Sequence, residues 1–524
     1  MTKQYWKNYT VTLSELFFYI FFTALLFAKG IGLYDGQTWF KVFLLISLAG
    51  WALKQLFTEY TVKEMILIIA LVGLGGAIYL NTHEKGALFC LLLVCGMKGI
   101  DLRRTFKVGL ATWMLSFGGL FILTSFHILD SAFKVHDKLG LGRIIRWSLG
   151  YAHPNVLHIS YLVLVCFAVY LLHDRFKIRW FLILEAVNLY VFMYSLSSTG
   201  FMAVSICLVL ALYFSLRKRI GKAEGILIQC CLPFCLLLSL AAPVVLKEPL
   251  FSLVNKAVNN RLLLSQWFLQ NQPAALLGVD TQKIVTSLRT MDNSYVFAYI
   301  TYGIIFGILT VAAYFVLIYR KTRQQDGFAL CLILSCLIAG VTEPFLFNTS
   351  FKNISLLFVG AMLFENKKAK KEASILGKYD RGLSIRLPDG QVLYNELKEA
   401  AGKKRKTLLT AAFILGTAVA LIGFCCTKMP ERYILPRQAF ESTGDIEETY
   451  HLASPKDIPK EGDVVMGYID ETADMVPFTG NIAKVERFRN TAASGIVTVI
   501  ITYMAGILYL WKKKTGRSKR SRRK

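Results

Sequence analysis

Two long polar stretches interrupt the row of apolar segments that fills the first 365 residues, and both carry more cations than anions. The first, HILDSAFKVHDKLGLGRIIRWSLGYAHPN at 127–155, sets Lys134, Lys138, Arg143 and Arg146 against Asp130 and Asp137. The second, at 247–293, sets Lys247, Lys256, Arg261, Lys283 and Arg289 against Glu248, Asp280 and Asp292. Guanidinium groups bind phosphate oxygens through a planar, two-pronged fork, so the simplest ligand for such loops is an anion at a membrane surface, a lipid diphosphate for example. In the second stretch Phe251, Val254, Val258 and Leu262 recur at helical spacing with Asn255, Lys256 and Asn259 opposite, which predicts an amphipathic helix against a membrane surface or cavity wall. Arg261 falls near its end, where a snorkelling cation that merely anchors the helix is the alternative reading.

The elements that must position these loops are membrane spans. The 524 residues are 55% hydrophobic and 18% charged, with a mean hydropathy of +0.49, which fits a polytopic membrane protein and not a soluble enzyme. A bilayer-crossing helix needs roughly 20 mostly apolar residues. Candidates fall near 11–28, 40–57, 64–80, 86–100, 107–127, 156–173, 178–195, 200–216, 225–246, 293–319, 327–341, 350–364, 407–426 and 491–511. The expected fold class is therefore an all-α polytopic membrane protein, with about 12 core transmembrane helices plus 2 C-terminal ones and a small β-containing external appendage. No small-x-small site closes the first apolar run, which is expected to be a retained span.

With Lys3 and Lys7 on the cytoplasmic side, the clusters Arg103, Arg104, Lys107; Arg175, Lys177, Arg179; Arg217, Lys218, Arg219, Lys222; and Arg320, Lys321, Arg323 all fall inside. The segment 367–406 and the tail KKKTGRSKRSRRK from Lys512 fall there too, so both termini are expected on the cytoplasmic side. Topology and contact with anionic lipids account for most of the net charge of +26, and nucleic acid is not an expected partner. The eleven cysteines lie in apolar segments or at their ends, none in a metal-ligand pattern with histidine. Packing is the expected role; no disulfide framework, metal or cofactor is expected.

Four strings fall in order along the chain: RWSLGYAHPN at 146–155, SLSSTG at 195–200, Arg261 with LLG at 276–278, and DNSYVFAYITYGIIFG at 292–307. Together they resemble the O-antigen polymerase and ligase superfamily, over roughly residues 1–365. The resemblance implies a bacterial, metal-independent glycosyltransferase that moves a glycan from an undecaprenyl diphosphate carrier to an acceptor hydroxyl. Membrane lipids and other polysaccharide-assembly proteins are the further partners it implies. Arg146 and Arg261 match the family's external arginines and are expected to hold the diphosphate, with Arg143 and Arg289 as helpers.

Such a reaction also needs a base for the hydroxyl proton. Ligases of the superfamily share a histidine late in the large external loop, and none occurs between Lys247 and Asn293, which favours a repeat-unit polymerase. The candidates are His153, in the HPN turn, and Glu343, in TEPFLFN; a histidine near a helix start is more often a cap. Asn155 and Asp292 read as helix caps or as substrate contacts, and the serines and threonine of 195–199 read first as turn chemistry.

Glu185 raises a rival class, since a carboxyl within a span marks a functional site by default. A flippase or proton-coupled exporter of lipid-linked oligosaccharide would use it. No internal repeat accompanies it, and a transporter has little need of a long basic loop. Polytopic transferases that use lipid-phosphate sugars carry acids in a long first external loop, where this chain has only Asp35.

The expected organisation is a glycan-polymerase-like domain at 1–366 and a cytoplasmic basic segment at 367–406. A span at 407–426, an external appendage at 427–490, a span at 491–511 and a basic tail at 512–524 follow. GLSIRLPDGQVLYNELKEA predicts a hairpin about Pro388 and Gly390 and then a short helix, and VVMGYI from Val464 predicts a strand.

Overall fold

The computed structural model describes residues 6–125, 128–129, 133–137, 143–217, 219–281, 290–365, 374–388, 390–426, 432–436, 451–452, 463–467 and 481–521. Arg289, Lys283 and most of the appendage lie outside them. Among the described residues, 11 helices are long and apolar enough to cross a membrane, and the protein is an all-α polytopic membrane protein. In chain order the first elements are a strand β1 (Trp6–Thr12) and helices α1 (Leu13–Gly30), α2 (Thr38–Phe57), α3 (Val62–Thr82), α4 (Gly86–Gly96) and α5 (Leu102–Thr124). A hairpin of β2 (Phe133–Asp137) and β3 (Arg143–Trp147) follows. Then come α6 (Pro154–Leu171), α7 (Ile178–Ser195), α8 (Ser198–Leu216) and α9 (Lys222–Val245).

The polar stretch after α9 holds two helices, α10 (Leu250–Ala257) and α11 (Arg261–Asn271), not the single one its periodicity suggests. Asn259 and Asn260 both take left-handed backbone angles, with φ of 56° and 63°, which asparagine tolerates better than other chiral residues. The Asn255 carboxamide oxygen then accepts the Leu263 amide at 3.1 Å, tying the second helix to the first. Arg261 therefore opens a helix instead of closing one.

The remaining core helices are α12 (Ser294–Arg323), α13 (Gly327–Ala339) and α14 (Leu356–Leu363). Three of the expected core spans are thus short: α4, α13 and α14. Nearly every residue of α4 and α13 is buried, so their unbroken apolar character reflects enclosure by protein and not the length needed to meet lipid. Between α13 and α14 the chain runs from 340 to 355 without regular structure, yet almost all of it is buried.

Buried irregular backbone must find partners for its polar groups, and here side chains supply them. Ser294 Oγ donates to the Glu343 carbonyl at 2.6 Å, Tyr302 to Phe347 at 2.9 Å, and Asn353 Nδ2 to Leu346 at 2.9 Å. Phe351 wedges between α1 and α4, its ring 5.2 Å from that of Phe21 and 6.4 Å from that of Phe89.

The LLG string also has a structural task. Gly278 has φ of 84°, and its chain lies along a break in α12: Val279 N donates to Ile300 O and Ile304 N to Ala275 O, both at 3.0 Å. The break follows a π-helical turn at Ala298–Tyr302 and falls at Gly303, whose φ of 82° leaves the helical region.

Beyond α14 the expected hairpin is absent. Strand β4 (Gly382–Pro388) pairs antiparallel with β1, Trp6 opposite Pro388, and the residues after the turn form helix α15 (Gly390–Ala401). Asp380 accepts from Ser14 N at 2.9 Å and Ser14 Oγ at 2.8 Å, which fastens this segment to the start of α1. The spans α16 (Arg405–Cys426) and α17 (Asn481–Ser521) pack together and flank a sheet of β5 (Arg432–Pro436), β6 (His451–Leu452) and β7 (Asp463–Gly467), which includes the strand expected near Val464.

Gly278→Ala is expected to destabilise the protein by about 2 kcal/mol or more, because its positive φ excludes a side chain and a Cβ would strike the Thr301 backbone. Gly76→Ala, at a helical position where an added Cβ would meet nothing within 4 Å, is the control expected to be neutral to slightly stabilising. Thermal unfolding in nanodiscs checks both.

Candidate functional site

Arg146 sits on β3 opposite Lys134 of β2, and the chain after it is buried at Trp147, Ser148, Leu149 and Tyr151. The Tyr151 hydroxyl donates to the Gly30 carbonyl at 2.7 Å, which ties the end of the hairpin to α1. The Arg146 side chain is buried in consequence. Its Nε donates to Ser195 O at 2.9 Å and its Nη2 to Asn155 Oδ1 at 2.6 Å.

Asn155 is free to receive it because a neighbour caps the helix. His153 is the N-cap of α6, its Nδ1 accepting from Asn155 N at 3.1 Å, with Pro154 in the first turn. The Asn155 amide nitrogen then reaches Glu343 Oε1 at 3.1 Å, and the Thr199 hydroxyl donates to that same oxygen at 2.6 Å. Asn155 is thus a bridge between cation and acid and not a cap. The 195–199 turn contributes to the site as well as starting α8.

Arg261 arrives from the other loop. Its Nη1 pairs with Asp292 Oδ2 at 2.6 Å, and its Nε donates to the carbonyl of Thr342, the residue before Glu343, at 3.3 Å. Asp292 is engaged by this pair, while Asn293 caps α12, its Oδ1 accepting from Tyr295 N and Val296 N. Two guanidiniums from separate basic stretches therefore flank one buried carboxyl.

Burial pushes the Glu343 carboxyl up to about 7, against the pull of Arg261, the Thr199 hydrogen bond and Arg146, with Asp292 adding to the upward push. A carboxyl so poised exchanges its proton near neutrality.

Of the other expected site residues, Arg143 pairs its backbone with Asp137 at the start of β3, and Arg289 lies outside the described residues. Lys352 is a cation near the site that motif reading passed over. It is buried, with Nζ 2.9 Å from Ser160 Oγ and 5.3 Å from the centre of the Tyr151 ring. Lys29 and Glu343 are the charged groups that act on it. A lysine within the apolar string PFLFNTSFKNISLLF was the signal available. Among the described residues, no group of three or more His, Cys, Asp or Glu side chains is arranged to hold a metal ion.

An apolar cavity of about 600 Å³ lies between α9 and α12, lined among others by Leu232, Leu236, Leu240, Tyr295, Phe315 and Phe347. Its Tyr295 end adjoins the site, since Asn293 Nδ2 donates to Ser239 Oγ at 2.9 Å and Ser294 holds the Glu343 carbonyl. Comparison with protein-family models, with curated proteins and with solved structures returns no match.

The raised Glu343 pKa has a stability consequence whose sign follows from proton counting. Between about pH 4.5 and 7 the folded state holds a proton at Glu343 that the unfolded chain has released, so stability falls as pH rises through that window. The contribution has a ceiling on the order of 3 kcal/mol. Glu343→Gln is expected to remove this part of the slope, which unfolding midpoints measured from pH 4 to 8 would register.

Proposed function

We propose that the protein joins lipid-linked oligosaccharide repeats into a surface or capsular polysaccharide, as a metal-independent glycosyltransferase at the outer face of a bacterial plasma membrane. The observation that carries this reading is the convergence of Arg146 and Arg261 on the neighbourhood of Glu343, the first through Asn155 and the second on the carbonyl of Thr342. In this orientation both termini and the clusters around Arg103, Arg217 and Arg320 face the cytoplasm.

The donor is an oligosaccharide on undecaprenyl diphosphate. Arg146 and Arg261 receive the diphosphate, and the apolar cavity beside Tyr295 lies where its polyprenyl chain would pass. An acceptor hydroxyl oxygen attacks the anomeric carbon, forming the new glycosidic bond. The bond from that carbon to the phosphate oxygen breaks, and the lipid diphosphate leaves with the electron pair. The hydroxyl proton passes to ionised Glu343. Negative charge grows on the departing diphosphate, and the guanidiniums stabilise it most there, where it lowers the barrier. His153 is given the supporting task of capping α6, so Glu343 is the preferred base.

The flippase alternative has one observation in its favour, the Glu185 carboxyl held within the bundle by Ser205 and Asn188. Ligase-like transfer to a separate acceptor would use the same chemistry. Purified protein in vesicles with undecaprenyl-linked repeats separates the three. Lengthened glycan is expected; transbilayer movement without lengthening would favour the flippase, and dependence on an added acceptor the ligase. Arg146→Ala, Arg261→Ala and Glu343→Gln are each expected to cut the rate by about 100-fold or more, with little recovery in Arg146→Lys because an ammonium lacks the fork. His153→Ala is expected to lose far less.

A further inference from the structure

A chain of hydrogen bonds leads from the site into the bundle through residues to which the proposed reaction assigns no part. His158, on α6 and fully buried, places Nδ1 2.8 Å from Ser195 Oγ and Nε2 2.8 Å from Asn188 Oδ1. The Asn188 amide nitrogen lies 3.2 Å from Glu185 Oε1, 3.2 Å from Phe201 O and 3.1 Å from Ser205 Oγ. With its nitrogen so engaged, Asn188 offers His158 an acceptor. The imidazole proton is thereby assigned to Nε2, and Nδ1 accepts the Ser195 hydroxyl. Ser195 Oγ in turn accepts from Ser197 N at 3.2 Å.

The turn held by these bonds has two contacts with the site. The Ser195 carbonyl receives Arg146, and the Thr199 hydroxyl reaches Glu343. The turn also needs outside support, because Leu196 takes a left-handed φ of 44°. Close packing makes the coupling stiff: a Cβ on Gly200 would lie 2.6 Å from the Cβ of His158.

We propose that His158, acting through Ser195, is a positioning residue that locks the 195–199 turn and so fixes Arg146 and Thr199 against Glu343. It rests on the glycosyl-transfer reading for its catalytic meaning, but its geometric content can be read without any transfer. A histidine that merely filled the core would affect stability and leave the environment of Glu343 alone. The groups facing that carboxyl are Arg146 from β3, Asn155 from α6, Thr199 from α8, and Arg261 with Asp292 from the second loop, with Lys352 beyond. Of these, the hairpin cation and the Thr199 donor depend on the turn.

The test is an infrared pH titration of the Glu343 carboxyl in the full chain in nanodiscs, its C=O band identified by loss in Glu343→Gln. Thr199→Val removes one donor to the carboxylate and is expected to raise the midpoint by about half a pH unit or more. His158→Ala is expected to move it in the same direction, and His158→Asn, which keeps an acceptor beside Ser195, to restore it. In His158→Ala/Thr199→Val the two effects are expected to add to less than their sum. An unmoved midpoint in folded His158→Ala overturns the proposal, as does an unmoved midpoint in Thr199→Val. Should His158→Ala not fold, Ser195→Ala carries the test: an upward shift supports the proposal and no shift overturns it. Failure of wild-type protein to lengthen glycan in vesicles would end the transferase reading and leave this titration interpretable.

Discussion

Glu343 is a carboxyl removed from water, and two guanidiniums on separate parts of the chain make its position tolerable. Burial disfavours its ionised form, while Arg146 and Arg261 favour it, and the balance lies near neutrality. Removing either cation would leave a buried acid with less compensation, so the arrangement is mutually dependent. Asn155 and Thr199 complete it by donating to one carboxylate oxygen, which fixes direction as well as charge.

The architecture serves that balance. The irregular stretch that carries Glu343 is fastened by hydroxyls and amides from α12 and by the Phe351 ring among aromatic neighbours. Arg146 is presented by a hairpin tied to α1, and Arg261 by the first residue of a helix that begins at a left-handed asparagine pair. Each of these side chains thus comes from a place at or near the end of a regular element, and rigid helices hold those places together. The C-terminal spans lie outside this scheme; their link to the core includes the β1–β4 pairing and the Asp380 clasp on Ser14.

Much of the fold was legible in hydropathy, because long apolar runs and short basic connections leave few alternatives. Span length was less so: α4 and α13 are apolar through enclosure, which composition cannot tell from lipid contact. The site was half legible. Arg146 and Arg261 stood out as cations in stretches that break the positive-inside pattern, and Asp292 and Asn155 were in view. HPN offers two capping side chains in three residues, and local rules could not choose between His153 and Asn155. The helix expected across 251–262 failed because Asn259 and Asn260 adopt backbone angles that periodicity ignores. The β1–β4 pairing joins segments far apart in the chain, where a turn signal at Pro388 pointed to a local partner. Thr199 was in view only as turn chemistry and Lys352 only as a lysine in an apolar string, while the His158 network emerged in three dimensions, since nothing in its spacing distinguishes it from core residues.

A single diphosphate site formed by the two guanidiniums beside Glu343 would show itself in the affinity of undecaprenyl diphosphate for purified protein in nanodiscs, measured for wild type, Arg146→Ala, Arg261→Ala and the double variant. Each single loss is expected to weaken binding by about tenfold or more, and the double variant by less than the product of the two, as for neighbours that share one ligand. Equal affinity across the four proteins, or independent effects that multiply in full, would contradict a shared site.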